Sequence, residues 1–125
     1  MKKVLSTTEA PEALGPYSQA IETETTVYCS GQLGLDPKTG AFAGEDVSEQ
    51  TKQAFENIKS VLKEAGLGLQ NVVKTTVLLS DIEDFGPMNE VYATFFEAPF
   101  PARSAFAVKD IPKGAKVEIE VIAVK

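Results

Sequence analysis

At 125 residues the chain has room for one domain, residues 1–125, and none for a second core. Hydrophobic residues make up 43% and charged residues 24%, a globular composition, and a net charge of −6 opposes binding to nucleic acid. With no His and one Cys, a single chain excludes a Ser-His-Asp triad, a His-ligated zinc and an internal disulfide.

Met1 to Leu14 carries two lysines with no apolar stretch behind them, so neither a secretory leader nor a membrane span is predicted. The lone Cys29 fits a reducing, cytoplasmic setting. In chain order, three short strands are predicted at Lys3–Leu5, Gln19–Glu22 and Thr26–Ser30, followed by a turn at Asp36-Pro37-Lys38-Thr39-Gly40. A helix from Val47 to Ala65 follows from the apolar stripe Val47, Thr51, Ala54, Phe55, Ile58, Val61, Leu62 and Ala65 at helical spacing. Asp46 with Glu49 forms a capping-box pattern at its start, and Gly66 marks its end. Val72–Leu79, rich in β-branched residues, reads as a central strand. Phe85–Phe96 reads as a second helix, with Pro87 in its first turn and Pro99 and Pro101 beyond its end. Ala102–Val108 and Val117–Val124 read as strands joined in a hairpin through Asp110-Ile111-Pro112-Lys113-Gly114.

This order predicts an α+β sandwich: a mixed sheet of about six strands with two helices on one face. In the last strand Val117, Ile119, Val121 and Ala123 suit the helix-covered face. Glu118, Glu120, Ile122 and Val124 fall on the other. Half of that second face is aliphatic with no third layer to cover it, which predicts a homo-oligomer built on sheet faces.

Arg103 is the sole arginine, in the apolar setting Pro99-Phe100-Pro101-Ala102-Arg103-Ser104-Ala105-Phe106. Two readings are open: a planar fork for a substrate carboxylate, or a surface arginine with its stem packed. Glu118 and Glu120 share one face of an otherwise aliphatic strand, either as acid/base groups or as a solvated or ion-paired edge. Tyr17, after the rigid Gly15-Pro16, either offers its hydroxyl to a cleft or simply packs. Cys29 has no cationic neighbour and reads as a buried hydrophobe. Gly31 and Gly34 lack the pattern of a nucleotide-binding loop. No metal is indicated.

Several segments together carry a family resemblance: GPYSQA at 15–20, SGQLGLDPKTG at 30–40, EQTKQAFENIKSVLKEAG at 49–66, and PARSA with VEIEVIAVK at the C-terminus. The chain resembles the Rid (YjgF-type) family of enamine/imine deaminases over essentially its whole length. The resemblance implies a chorismate-mutase-like fold, a homotrimer with clefts between subunits, and cofactor-independent hydrolysis of 2-imino acids such as 2-iminobutanoate and 2-iminopropanoate to 2-oxo acids and ammonia. By that resemblance Arg103 grips the substrate carboxylate and Glu118 positions or activates water, with Glu120 the weaker candidate. Tyr17, Ser30, Gly31 and Asn89 match positions lining the cleft or the subunit boundary. Many members carry Cys where this chain has Ala105, so a thiol is missing from the pocket wall while the main-chain groups there remain. Two rival readings are a small-carboxylate-binding regulatory or holdase-like trimer without turnover, and a ribonuclease, which the acidic balance and absent His oppose.

Overall fold

The computed structural model describes all residues, 1–125. Three strands come first: β1 (Lys3–Leu5), β2 (Ala20–Glu22) and β3 (Thr26–Leu33). Then follow α1 (Val47–Lys63), β4 (Val72–Leu79), α2 (Phe85–Phe95), β5 (Ala102–Ala107) and β6 (Val117–Val124). The strands form one mixed sheet in the order β1-β2-β3-β6-β4-β5, antiparallel except for the β4–β5 pair.

Both helices lie on one face of this sheet. From α1, Phe55, Ile58 and Leu62 are fully buried against Val27 of β3, Val77 and Leu79 of β4, and Val117, Ile119 and Val121 of β6. Met88 and Tyr92 of α2 join the same core. The strand alternation predicted for β6 holds: every odd position is buried, while Glu118 and Ile122 are half-buried and Glu120 and Val124 exposed. The opposite face is uncovered in a single chain, leaving Val4, Tyr28, Val73, Phe106 and Val124 in contact with water.

The ends of α1 follow from local chemistry. Asp46 Oδ1 accepts a hydrogen bond from Glu49 N at 2.8 Å, satisfying one of the free N–H groups of the first turn. At the other end Gly66 adopts φ 73°, which lets Leu67 N reach Leu62 O and Gly66 N reach Lys63 O. The regular helix therefore stops at Lys63, two residues before the predicted Ala65.

Two expectations are corrected. β5 and β6 do not form a hairpin: β6 inserts between β3 and β4, and β5 lies outside, parallel to β4. The reason lies in their faces. β6 carries an uninterrupted apolar side that needs the helix layer, which makes it central, whereas β5 is largely exposed and suits an edge. The β4-α2-β5 connection is a crossover, which delivers parallel rather than antiparallel strands. The second correction concerns β3, which continues past Ser30 to Leu33 through a bulge between Cys29 and Gln32. Gly31 sits in that bulge and does not terminate the strand.

Candidate active site

The bulge in β3 borders a cavity of about 650 Å³ on the uncovered side of the sheet. Glu118 lies next to the bulge because β6 pairs with β3 on one side and β4 on the other, with Glu118 opposite Leu33 and Leu78. A Cβ built on Gly31 would stand 2.0 Å from Glu118 Oε2, so only glycine leaves the carboxylate room there. Burial pushes the Glu118 carboxyl above the usual carboxylate range, and the neighbouring charge of Glu120 pushes it in the same direction. Tyr17, Ser30 and Glu120 line the same cavity. Ser30 Oγ donates to Ser18 O at 2.6 Å and Ser30 N donates to Gln19 O, fastening the Tyr17 loop to the bulged strand. Lys113, a non-glycine residue in the left-handed region (φ 62°, ψ 15°), stands on the cavity wall.

Arg103, Asn89 and Ala105 belong elsewhere. Arg103 pairs in register with Thr75, whose side chain faces the helices, so the guanidinium leaves the sheet on the helix side. There Nη1 donates to Asn89 Oδ1 at 2.6 Å, and Cζ lies 4.7 Å from the centroid of Tyr92 and 5.5 Å from that of Phe85. Ala105 follows on the same side and packs against the core. Within one chain, then, Arg103 and Glu118 occupy opposite faces of the sheet, two strands apart. The sequence-predicted residues fall into two groups: Tyr17, Ser30, Gly31 and Glu118 around the cavity, and Arg103, Asn89 and Ala105 at the β5–α2 edge.

Cys29 faces the helix layer, and burial pushes its thiol up to about 12, so the thiolate needed for nucleophilic chemistry does not form at neutral pH. No group of three or more His, Cys, Asp or Glu side chains is placed to hold a metal ion. No helix is long and apolar enough to cross a membrane.

Sequence reasoning missed three amides that hold the cavity together. Gln19 accepts from Thr7 N at 2.7 Å and donates to Pro11 O at 2.8 Å, clasping the N-terminal segment beside the cavity. Asn57 donates to Leu33 O at 3.1 Å and Leu35 O at 2.9 Å, fixing the exit of β3. Gln50 donates to Gly44 O and accepts from Lys116 N, joining α1 to the entry of β6. A signal was present for two of them: Gln50 and Asn57 fall on the buried side of α1, where an amide must find partners.

The chain is a two-layer α+β sandwich with one open sheet face and a carboxylate-bearing cavity on that face. The family profile described as Endoribonuclease L-PSP matches residues 7–125. Along its full length the chain is 53% identical to the 2-iminobutanoate/2-iminopropanoate deaminase of Mus musculus, covering 93% of that protein. A solved structure from Entamoeba histolytica bearing the L-PSP description is 54% identical, with a TM-score of 0.96 and full coverage of both chains. RidA from the Antarctic bacterium Psychrobacter is 46% identical with a TM-score of 0.95, over 98% of this chain and 99% of that one. The chain belongs to the L-PSP, or Rid, family.

Proposed function

We propose that the chain, acting as one Rid-type domain, hydrolyses 2-imino acids such as 2-iminobutanoate and 2-iminopropanoate to 2-oxo acids and ammonia. Its site is assembled between subunits of a homotrimer. The observation that carries this reading is the separation of the two charged groups: a carboxylate over the Gly31 bulge, and a guanidinium held on the other face of the sheet. The cavity wall holds Glu12, Asp36, Glu118 and Glu120 against a single cation, Lys113, a poor place for an anionic ligand by itself. Arg103 from an adjoining copy supplies the missing positive fork and completes the site. The exposed apolar residues of the open sheet face give the copies a surface to pack on.

In this arrangement Arg103 holds the substrate carboxylate, and main-chain groups near Gly31 and Ala105 hold the imine nitrogen. Water beside Glu118 attacks C2 of the protonated imine. The C–O bond forms as the C=N π pair moves to nitrogen, and the water proton passes to Glu118. Glu118 returns that proton to nitrogen; the C–N bond then breaks with its electron pair leaving on ammonia, while the hydroxyl O–H pair becomes the second C=O bond and the hydroxyl proton passes to Glu118. The departing ammonia takes that proton as ammonium, leaving the 2-oxo acid and an ionised Glu118. A carboxylate with a raised pKa is a better base for the first step and a usable acid for the second.

The family description also names endoribonuclease activity, but the acidic cavity wall and the chain's charge of −6 repel a phosphate backbone. The deciding experiment adds the protein to a threonine dehydratase reaction and measures 2-oxo acid and ammonia release, beside binding of 2-oxobutanoate alone. Faster release supports the deaminase. Binding without acceleration leaves a small-carboxylate-binding trimer and removes the deaminase reading.

A further inference from the structure

Arg103 is exposed and sits on an edge strand, where a long side chain ordinarily samples many rotamers. Here it is held from two directions. Asn89 Oδ1 takes a hydrogen bond from Nη1 at 2.6 Å, and the face of Tyr92 lies 4.7 Å from Cζ. The Tyr92 ring is itself immobilised: it meets Phe55 edge-on at 5.5 Å and lies 4.9 Å from Phe96. Its hydroxyl shares a hydrogen bond of 2.8 Å with Thr75 Oγ1, and both residues are buried. Thr75 is the cross-strand partner of Arg103 in the β4–β5 register. The strand beside the arginine therefore anchors the ring on which the arginine rests, and the helix turn before that ring supplies the hydrogen-bond acceptor.

We infer that Tyr92 is a positioning residue for carboxylate recognition: its ring, packed in place by Phe55 and Phe96, presets the Arg103 guanidinium so that its fork meets the substrate carboxylate with little further ordering. The inference rests on the proposed role of Arg103 as carboxylate grip, and Tyr92 acts through Arg103 without touching substrate. A ring with a negative face attracts a cation in proportion to that charge, and pre-ordering of the cation appears in ligand affinity. The hydroxyl serves the ring's placement, which Phe55 and Phe96 also secure, so phenylalanine at this position should suffice and an aliphatic residue should not.

Because Arg103 is the only arginine, its Nε–Hε group gives a single side-chain NMR signal in the intact protein. Its order parameter reads the positioning directly, independent of activity. The expected result is a high order parameter in the parent and in Tyr92→Phe, and a clear drop in Tyr92→Leu. The KM for the 2-imino acid should rise about 3- to 30-fold in Tyr92→Leu, with kcat changed less and Tyr92→Phe within about threefold of the parent. Should Tyr92→Leu fail to fold, phenylalanine bearing three ring fluorines at position 92 keeps the shape and cancels the negative face, and should show the same drop and the same rise in KM. An unchanged order parameter with the altered ring, or an equal loss of affinity for an uncharged amide analogue of 2-oxobutanoate, overturns the positioning role. A parent protein that releases no 2-oxo acid overturns the proposed activity instead, while the order parameters still decide the role of Tyr92.

Discussion

Arg103 and Glu118 carry opposite charges and should fail in different ways when altered. If Arg103 holds the substrate carboxylate as proposed, Arg103→Ala leaves that carboxylate desolvated and without its partner, a loss of about 2–5 kcal/mol, or about 30-fold to several thousandfold in kcat/KM, with 2-oxobutanoate binding weakened alongside. Arg103→Lys keeps the charge but loses the planar fork and the fit over Tyr92, and should fall between the parent and the alanine variant. Steady-state kinetics and calorimetry with 2-oxobutanoate separate these outcomes. Glu118→Gln should instead lower turnover while binding of the 2-oxo acid is kept or improves, since a repelling charge is gone. It also has a signature in stability. With its folded pKa raised by burial and by Glu120, the native state holds the Glu118 proton more tightly than the unfolded chain does, so the ionised form at neutral pH opposes folding. Glu118→Gln should therefore be more stable than the parent in urea at pH 8. That advantage should shrink as pH falls through the raised value and disappear below the ordinary carboxylate value of 4.5, where both chains are neutral at this position. A variant equally or less stable at pH 8 would remove the raised pKa from the account. The chemical identity of these residues was legible in the sequence: a lone arginine and two glutamates interrupting an aliphatic strand stand out. Their separation onto two faces was not, because it depends on which strands become neighbours.

Elements decide that neighbourhood, and the sheet shows which signals were present. The alternation in β6 and the apolar stripe of α1 were readable because each reports one face against one core. Placing β5 beside β6 rested on turn-forming residues between them, a local signal that lost to the helix cover required by β6 and to the crossover through α2. The bulge in β3 was hidden for a similar reason, since a glycine at the end of an apolar run marks a stop or an irregularity equally well. Two glycines of that strand and its exit now make a contrasting pair. A Cβ on Gly31 meets the far end of the Glu118 side chain, which can rotate away, so Gly31→Ala should fold and assemble like the parent yet lose about 100-fold in turnover through a displaced carboxylate. A Cβ on Gly34 would come within 2.5 Å of Gln50 Cα and its carbonyl oxygen in α1, and a helix backbone cannot turn aside. Gly34→Ala should accordingly lose about 1–3 kcal/mol in urea unfolding, with the helix pushed off the strand exit that Asn57 holds. If Gly31→Ala keeps full turnover, the bulge is not what places Glu118 for chemistry.

On the scale of the whole molecule, the chain presents one face finished by helices and one left with half-apolar rows, and places Arg103 on the first and Glu118 on the second. The proposed closed cyclic assembly would answer both features, covering the open face and bringing the β5–α2 edge of one copy to the cavity of the next. Light scattering should give about three times the chain mass of 13.4 kDa. Mass alone does not say which copies furnish which residues, but a mixing experiment does. Arg103→Ala carries an intact Glu118, and Glu118→Gln carries an intact Arg103, so each variant alone has three damaged sites. In trimers reassembled from equal amounts of the two, a site built across a subunit boundary draws its arginine from one copy and its glutamate from another. About one site in four then regains both groups by random assortment, and activity should return to about a quarter of the parent value. A site built within one chain regains nothing on mixing, since every chain still lacks one of the two residues. Activity that stays at the level of the separate variants, in trimers shown by mass spectrometry to be mixed, would overturn the shared site and leave the opposite-face placement of Arg103 and Glu118 without a catalytic meaning.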